Sequence, residues 1–232
     1  MQVRKAGERG HFDHGWLKTW HSFSFAGYYD PRWMGYRSLR VLNDDIVAPR
    51  AGFPMHPHRD MEIISYVVEG SIEHRDNMGH ESTLRRGEIQ VMSAGSGIVH
   101  SEFNPSPDEE LRLLQIWIEP NEQGITPRYG QRSYDASVTG QWQLLAAPAG
   151  TSPPALVELH AGACLYRANL EAGQQLELRI AERRAGWLQM IQGSGRVDGV
   201  TLERGDGVAL DGGSDLLLAA NTQLEALLFD LR

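Results

Sequence analysis

The chain contains 232 residues, and its 22 Lys and Arg against 30 Asp and Glu give a formal net charge of −8. This length suits one large β domain or two small ones, with enough core to fold without covalent cross-links. The single cysteine, Cys164, excludes a disulfide framework and any thiolate-rich zinc or iron–sulfur site, so a bound metal would need imidazole and carboxylate ligands. The acidic balance argues against direct nucleic-acid binding through phosphate neutralisation.

The N-terminal region is polar at its start and then becomes rich in aromatic residues. It has no apolar signal core, and no stretch of the chain approaches the roughly 18 apolar residues of a membrane helix. We therefore expect a cytoplasmic protein without membrane contact. The aromatic side chains are expected to pack on a core. The histidines of this region, His11, His14 and His21, are expected to pack with them, with the mouth of a pocket as the alternative.

A regular alternation of strands and turns begins near residue 61. The strings MEIISYVVEG, SIEHRD, EIQVM and LRLLQIWIEP are typical of β-strands, and glycine-containing turns separate them at intervals of about ten residues. This pattern indicates an antiparallel barrel or sandwich. Within it, His74 alternates with apolar residues and is expected to face solvent, whereas His80 is expected at a hairpin turn.

A second β-rich block begins near residue 140. Its segment 186–210 repeats the order of apolar strand, glycine, short strand and turn that segment 61–92 shows, which indicates two related β units in tandem. The alternative is that any two hairpin strings look alike. The second block contains one histidine, His160, and no His-x-His string. We therefore predict a metal-binding domain over 1–135 and a related domain without metal ligands over 136–232.

Two pairs of residues are typical of a metal site: His56 with His58, and His100 with Glu102. Side chains at positions i and i+2 of a strand point to the same face and lie about 6–7 Å apart. If the two segments are neighbours in a sheet, three imidazoles and one carboxylate meet on one face. That set suits one divalent first-row transition metal, with Fe(II) favoured and Mn, Co, Ni, Cu or Zn as alternatives, and it leaves positions for substrate or oxygen.

Glu62 competes with Glu102 for the role of carboxylate ligand. In an extended strand Glu62 would lie about 13 Å from His58, so it would need a bend to reach the metal, whereas Glu102 needs none. We favour Glu102 as the ligand and place Glu62 in a supporting role near the site. Gly95 and Gly97 permit the tight turn that precedes the second ligand pair.

The strings around these residues resemble a known family. GFPMHPHRDMEIISYVVEG and GEIQVMSAGSGIVHSEFN look like the two cupin motifs, and HPHRDMEIISYVVEGSIEHRDNMG with MSAGSGIVHSE resembles the pirin family more specifically. The likeness covers the first half well and the second half loosely. It implies an all-β bicupin, with two tandem antiparallel β-barrel (double-stranded β-helix) domains and a metal in the first. The family's ligands fall on His56, His58, His100 and Glu102.

The resemblance also implies an activity. Bacterial pirins of this type are similar to quercetin 2,3-dioxygenase, which opens a flavonol ring with O₂ and releases carbon monoxide. Animal pirins are nuclear iron-dependent co-regulators, so a non-catalytic, redox-responsive regulator that acts through protein partners is the alternative. An enzyme with another substrate is a third hypothesis, because cupin sites serve several reactions.

For the dioxygenase hypothesis, Glu102 is the first candidate to accept the proton of the flavonol hydroxyl and Glu62 is the second, since a carboxylate bound to a metal is a poor base. Apolar residues close to the ligands in sequence are expected to wall a pocket for a flat ring. These are Phe53, Met55, Ile98 and Phe103. We expect a monomer, because neither a long heptad pattern nor an apolar edge strand is evident.

Overall fold

Short strands separated by turns make up nearly the whole chain, as the spacing of apolar runs predicts. A computed structural model describes residues 1–232 and contains 22 strands and one short 3₁₀ helix, Ala6–Glu8. No helix in it is long and apolar enough to cross a bilayer. The strands are β1 Gln2–Arg4, β2 Gly10–Asp13, β3 Leu17–His21, β4 Leu39–Val47, β5 Gly52–His58, β6 Glu62–Glu69, β7 Ser71–Asp76, β8 Glu81–Arg85, β9 Glu88–Ser93, β10 Ile98–Phe103, β11 Leu111–Ile118, β12 Arg128–Ser133, β13 Trp142–Ala147, β14 Val157–Glu158, β15 Ala163–Leu170, β16 Gln175–Arg179, β17 Ala185–Gln192, β18 Ser194–Val197, β19 Val200–Glu203, β20 Gly207–Leu210, β21 Asp215–Ala220 and β22 Leu224–Leu231.

Each half of the chain forms a sandwich of one seven-stranded and one four-stranded sheet. In the first half the orders are β12-β9-β6-β11-β4-β3-β2 and β5-β10-β7-β8, and in the second they are β1-β20-β17-β22-β15-β13-β14 and β16-β21-β18-β19. The strands pair antiparallel throughout, except β13 with β14. The all-β bicupin fold is therefore confirmed. Its domains are jellyroll-like rather than closed barrels, because no hydrogen-bonded ladder joins the large sheet to the small one.

The two segments of the predicted internal repeat occupy equivalent places. β6 lies between β9 and β11 in the first large sheet, and β17 lies between β20 and β22 in the second. The glycine that follows each of these strands, Gly70 or Gly193, has a positive φ, of 76° or 73°. A Cβ atom would lie 2.9 Å from a backbone oxygen at Gly70 and 2.0 Å from one at Gly193. Both positions therefore require glycine, which explains the shared pattern.

The large sheets of the two halves pack on each other through the principal core. Ile64 and Tyr66 of β6 join Trp187 of β17 and Phe229 of β22 in one cluster of 26 buried residues. On the opposite face of β6, Ile63 and Val67 belong to two smaller clusters whose residues all come from the first half. Because β6 is buried on both faces, its sequence is an almost continuous apolar run rather than an alternating one.

The N-terminal region ties the halves together. Its first strand, β1, pairs with β20 and so belongs to the large sheet of the second half. Phe23 and Trp33 pack on Trp187, with ring centroids 4.8 and 5.7 Å away. The expected packing is thus confirmed for Phe23 and Trp33, on a core that both halves share, whereas Tyr29 is 71% exposed. The boundary near residue 135 stays a prediction.

Candidate metal centre

The two predicted ligand segments lie side by side. Strand β5 pairs antiparallel with β10, so that His56 stands opposite His100 and His58 stands opposite Ile98. The three imidazole rings have centroids 4.5–4.9 Å apart, and a ligand nitrogen of each lies within 4.8 Å of the others. Strand alternation thus brings the three histidines together, at a spacing compatible with a shared transition-metal ion.

Glu102 lies on the same face of β10 as His100, but it is next to His74 rather than next to His56 and His58. A bulge between His100 and Glu102 shifts the pairing with β5, and the Glu102 carboxylate groups with His100 and His74 instead of with His56 and His58. Ser65 Oγ and Gln115 Nε2 donate hydrogen bonds to it at 3.0 and 2.7 Å. Burial raises the pKa of Glu102 to about 7.

The imidazoles are arranged and protonated as metal ligands need to be. His56 Nδ1 donates to the Pro54 carbonyl oxygen at 2.8 Å, which leaves Nε2 with its lone pair, and His100 Nε2 is buried without any hydrogen-bond partner. Burial lowers the pKa of His58 to about 4 and that of His100 to about 2. Neutral imidazoles with a free nitrogen, beside a carboxylate, fit a divalent first-row metal ion.

The structure does not bring Glu62 to the imidazoles. Its carboxylate accepts hydrogen bonds from Ser93 Oγ at 2.9 Å and from the backbone N–H of His160 at 3.1 Å, on the side of β6 that faces the second half. The reason is strand alternation, because Glu62 has the same parity as Ile64 and Tyr66 of the shared core. Burial raises the pKa of Glu62, but this carboxyl lies outside the metal centre.

A cavity of about 300 Å³ opens beside the imidazoles. Of the four expected wall residues only Phe53 lines it, and the expectation is wrong for the other three. Met55 and Phe103 point to the opposite face because each is one position from a ligand, and Ile98 packs in the inner core with Ile63. The cavity lining consists of His14, Leu17, Thr19, His21, Phe25, Ala26, Asn43, Asp45, Phe53, His56, His58, Glu102, Gln115 and Trp117.

Several lining residues come from the N-terminal region, where the sequence favours ordinary packing of the histidines and leaves the mouth of a pocket as the alternative. The pocket alternative is correct for His14 and His21, whereas His11 lies outside the lining and stacks on Trp20 with centroids 4.4 Å apart. His21 is also buried, and this lowers its pKa to about 4.

Asp45 is a second cavity carboxyl that the sequence reasoning missed. It is buried on β4, and burial is the main cause that raises its pKa to about 7. Its neighbour Asp44 has the opposite parity and forms an ion pair with Arg112 at 2.9 Å. The usable signal was that Asn43 and Asp45, at positions i and i+2, share one face of β4 in the middle of a strand whose ends are largely apolar.

His74 is fully buried, so its expected exposure to solvent is wrong. Strand β7 pairs with β10 and places His74 opposite Glu102, with its Nδ1 3.4 Å from His100 Nδ1. The outward positions of β7 are instead Glu73 and Arg75, which form an ion pair at 2.9 Å. Their alternation with the apolar Ile72 would have identified His74 as inward-facing.

Comparison with known protein families accounts for both halves of the chain. Residues 2–118 match the model described as Pirin, and residues 144–231 match the model described as quercetinase C-terminal cupin domain. The chain belongs to the pirin family. The resemblance of the motifs is thereby confirmed, and it extends through the second half, where the sequence alone showed only a loose likeness.

Individual pirins are similar over the full length. A protein of Escherichia coli (strain K12) named quercetin 2,3-dioxygenase is 48% identical over 231 residues, which cover 100% of this chain and 98% of the relative. The crystal structure of YhhW from E. coli has a TM-score of 0.94 at 47% identity, covering 100% of this chain and 97% of that one. A second structure of YhhW, in complex with nickel(II), has a TM-score of 0.93 at 46% identity, covering 99% and 98%.

Proposed function

We propose that the protein is a metal-dependent dioxygenase that opens the ring of flavonols such as quercetin with O₂ and releases carbon monoxide. The observation that carries the proposal is the cluster of His56, His58 and His100 with a carboxylate beside His100, because His56, His58 and Glu102 also line a cavity with apolar walls. The similarity to proteins named quercetin 2,3-dioxygenase supports the reaction class.

In this proposal His56, His58, His100 and Glu102 hold a single divalent metal ion. We assign Fe(II), because a mixed imidazole and carboxylate set suits this ion, and Ni(II) is the main alternative since YhhW has been crystallised with nickel(II). When bound, the metal would lower the pKa of a hydroxyl group that coordinates it and would support the reaction with O₂.

The cavity also needs a group to take the proton of the flavonol hydroxyl. Glu102 is occupied as a ligand in this scheme, and Glu62 faces the other half of the molecule. We therefore assign the role of proton acceptor to Asp45. Its carboxyl lines the cavity, and its pKa, raised by burial to about 7, is suited to accepting a proton near neutral pH.

The apolar part of the lining suits a flat aromatic substrate. Phe25 and Phe53 line the cavity together with Trp117, whose ring packs edge-on against His58 with centroids 4.9 Å apart. Aromatic walls of this kind exclude water from the ring of the substrate and orient it toward the imidazoles.

The experiment is to load the purified protein with Fe(II) or Ni(II), determine bound metal, and measure quercetin loss, O₂ uptake and carbon monoxide release. His56→Ala and His100→Ala are expected to lose both metal and turnover. Glu62→Gln is the matched control for Glu102→Gln, and only the second is expected to lose metal. A metal-loaded protein that leaves a panel of flavonols intact would refute the activity, and turnover that survives metal loss would refute the site.

A further inference from the structure

A line of polar side chains leads from His100 to the protein surface. His100 Nδ1 lies 3.4 Å from His74 Nδ1, and His74 Nε2 lies 3.3 Å from Asp76 Oδ2. The same carboxylate oxygen lies 2.9 Å from His80 Nδ1. The side chains of His74 and Asp76 are fully buried, whereas that of His80 is 38% exposed. The line therefore begins at a proposed metal ligand and ends at solvent.

The pairing of β7 with β10 builds this line. In the register of the two strands, His74 stands opposite Glu102 and Asp76 stands opposite His100. His74 and Asp76 are two positions apart, so their side chains share the inner face of β7. The other oxygen of Asp76, Oδ1, accepts hydrogen bonds from the backbone N–H groups of Met78 and His80 at 2.9 and 3.0 Å. The carboxylate is therefore held in one orientation.

Hydrogen-bond chemistry determines where the protons of this line lie. A carboxylate only accepts hydrogen bonds, so His74 donates to Asp76 through its Nε2–H, and the Nδ1 of a neutral His74 is then an acceptor. The Gln90 amide nitrogen, 3.4 Å from that Nδ1, is one donor that approaches its single lone pair. His100 is the other donor and so carries its proton on Nδ1.

We propose that His74 and Asp76 are positioning residues for the metal centre, which fix His100 as the Nδ1–H tautomer and thereby reserve its Nε2 lone pair for the metal ion. The inference rests on the metal site proposed above. It explains why the buried Nε2 of His100 has no partner within the protein. A hydrogen-bond partner that orients a metal-binding histidine through its other ring nitrogen typically contributes 10–100-fold to metal affinity.

The first test needs no variant. Long-range ¹H–¹⁵N correlation spectra of the metal-free protein report the tautomer of each histidine, and the His100 signals are assigned by their loss in His100→Asn. We expect Nδ1–H for His100 and Nε2–H for His74. An Nε2–H tautomer of His100 in the metal-free protein would overturn the proposal.

The second test measures the dissociation constant for Ni²⁺ by calorimetry. In Asp76→Asn the amide can donate to His74 Nε2, which moves the proton of His74 to Nδ1 and removes the acceptor for His100. We expect nickel affinity to fall about 10–100-fold and the His100 tautomer to change. His74→Asn, whose side-chain oxygen can take the place of Nδ1, is expected to lose less affinity than His74→Phe.

The matched control is Asp135→Asn, because Asp135 also accepts a backbone hydrogen bond, from Ser137 at 2.9 Å, but lies outside the cavity lining. Nickel affinity of Asp76→Asn within twofold of this control would overturn the proposal. A parent protein that binds no nickel but shows the expected tautomers would instead refute the proposed metal site. Thermal melting of each variant identifies any loss of affinity that comes from unfolding.

Discussion

At the scale of single residues, burial sets the charge of the cavity. It disfavours the charged form of every titratable group, so it lowers the pKa of His58 and His100 and raises that of Asp45 and Glu102. Near neutral pH the imidazoles of His58 and His100 are thus neutral, and the two carboxyls lie close to their midpoint of ionisation. A bound cation would favour the ionised form of both carboxyls, so the cavity suits a cation.

Asp45→Asn is expected to change the pH dependence of stability. The folded protein keeps the proton of Asp45 up to about pH 7, while the unfolded chain releases it near the ordinary value of 3.8. The folded state therefore binds more protons in this window, and stability falls as pH rises through it. Between pH 5 and pH 8 the metal-free parent should therefore lose on the order of 3 kcal/mol of unfolding free energy through Asp45. The metal-free Asp45→Asn variant should not show this loss.

Urea unfolding at the two pH values measures this difference. Asp108→Asn is the control, because the side chain of Asp108 is exposed and lies outside the cavity lining. If the unfolding free energy changes equally with pH in the parent and in Asp45→Asn, then Asp45 is ionised in the folded protein throughout this range.

At the scale of elements, strand alternation explains both what the sequence predicts and what it misses. It correctly placed His56 with His58 and His100 with Glu102, since each pair needs only the parity of one strand. The same alternation, through buried Ile72 and the outward Glu73 and Arg75, also indicates the inward direction of His74, which the exposure prediction overlooked. What one strand does not show is that β7 pairs with β10 and so places His74 beside His100 and Glu102. Pairings of this kind are made between residues distant in sequence, and no local pattern encodes which strand becomes the neighbour.

The loop that leads into β10 provides an element-scale prediction. Gly95 has φ +45°, and a Cβ atom there would lie 2.1 Å from the Ile125 carbonyl oxygen, whereas Gly124 has φ +70° and open space around it. Gly124→Ala should cost roughly 1–2 kcal/mol through backbone strain alone. Gly95→Ala should cost clearly more, and it should also weaken nickel binding because the displaced loop carries β10 with it.

Thermal melting and nickel calorimetry on both alanine variants distinguish these effects. Gly124→Ala is the matched control, since it introduces the same side chain at a positive φ without a collision. Equal melting temperatures for the two variants would mean that the contact between Gly95 and Ile125 is loose enough to yield.

At the scale of the whole molecule, the two halves share one core and one buried polar network. Arg167 of β15 forms an ion pair with Glu225 of β22 at 3.1 Å, and Glu225 also accepts from Tyr66 of β6 and from Arg86 in the first half, the latter at 3.2 Å. The second half covers the outer face of the large sheet of the first half, and the inner face of that sheet faces the candidate metal centre. Support of the site is thus the structural role that we assign to it.

This arrangement predicts that the halves unfold together. Glu225→Gln leaves Arg167 buried beside a neutral partner, and breaking a buried pair in this way costs about 3–5 kcal/mol. The control is Glu177→Gln, whose pair with Arg179 is 67% exposed on both sides and should contribute at most about 1 kcal/mol. Calorimetry should show one transition for the parent and one, at lower temperature, for Glu225→Gln. If a second transition separates, with nickel binding retained above the first, the halves are independent and the metal centre does not depend on the interface.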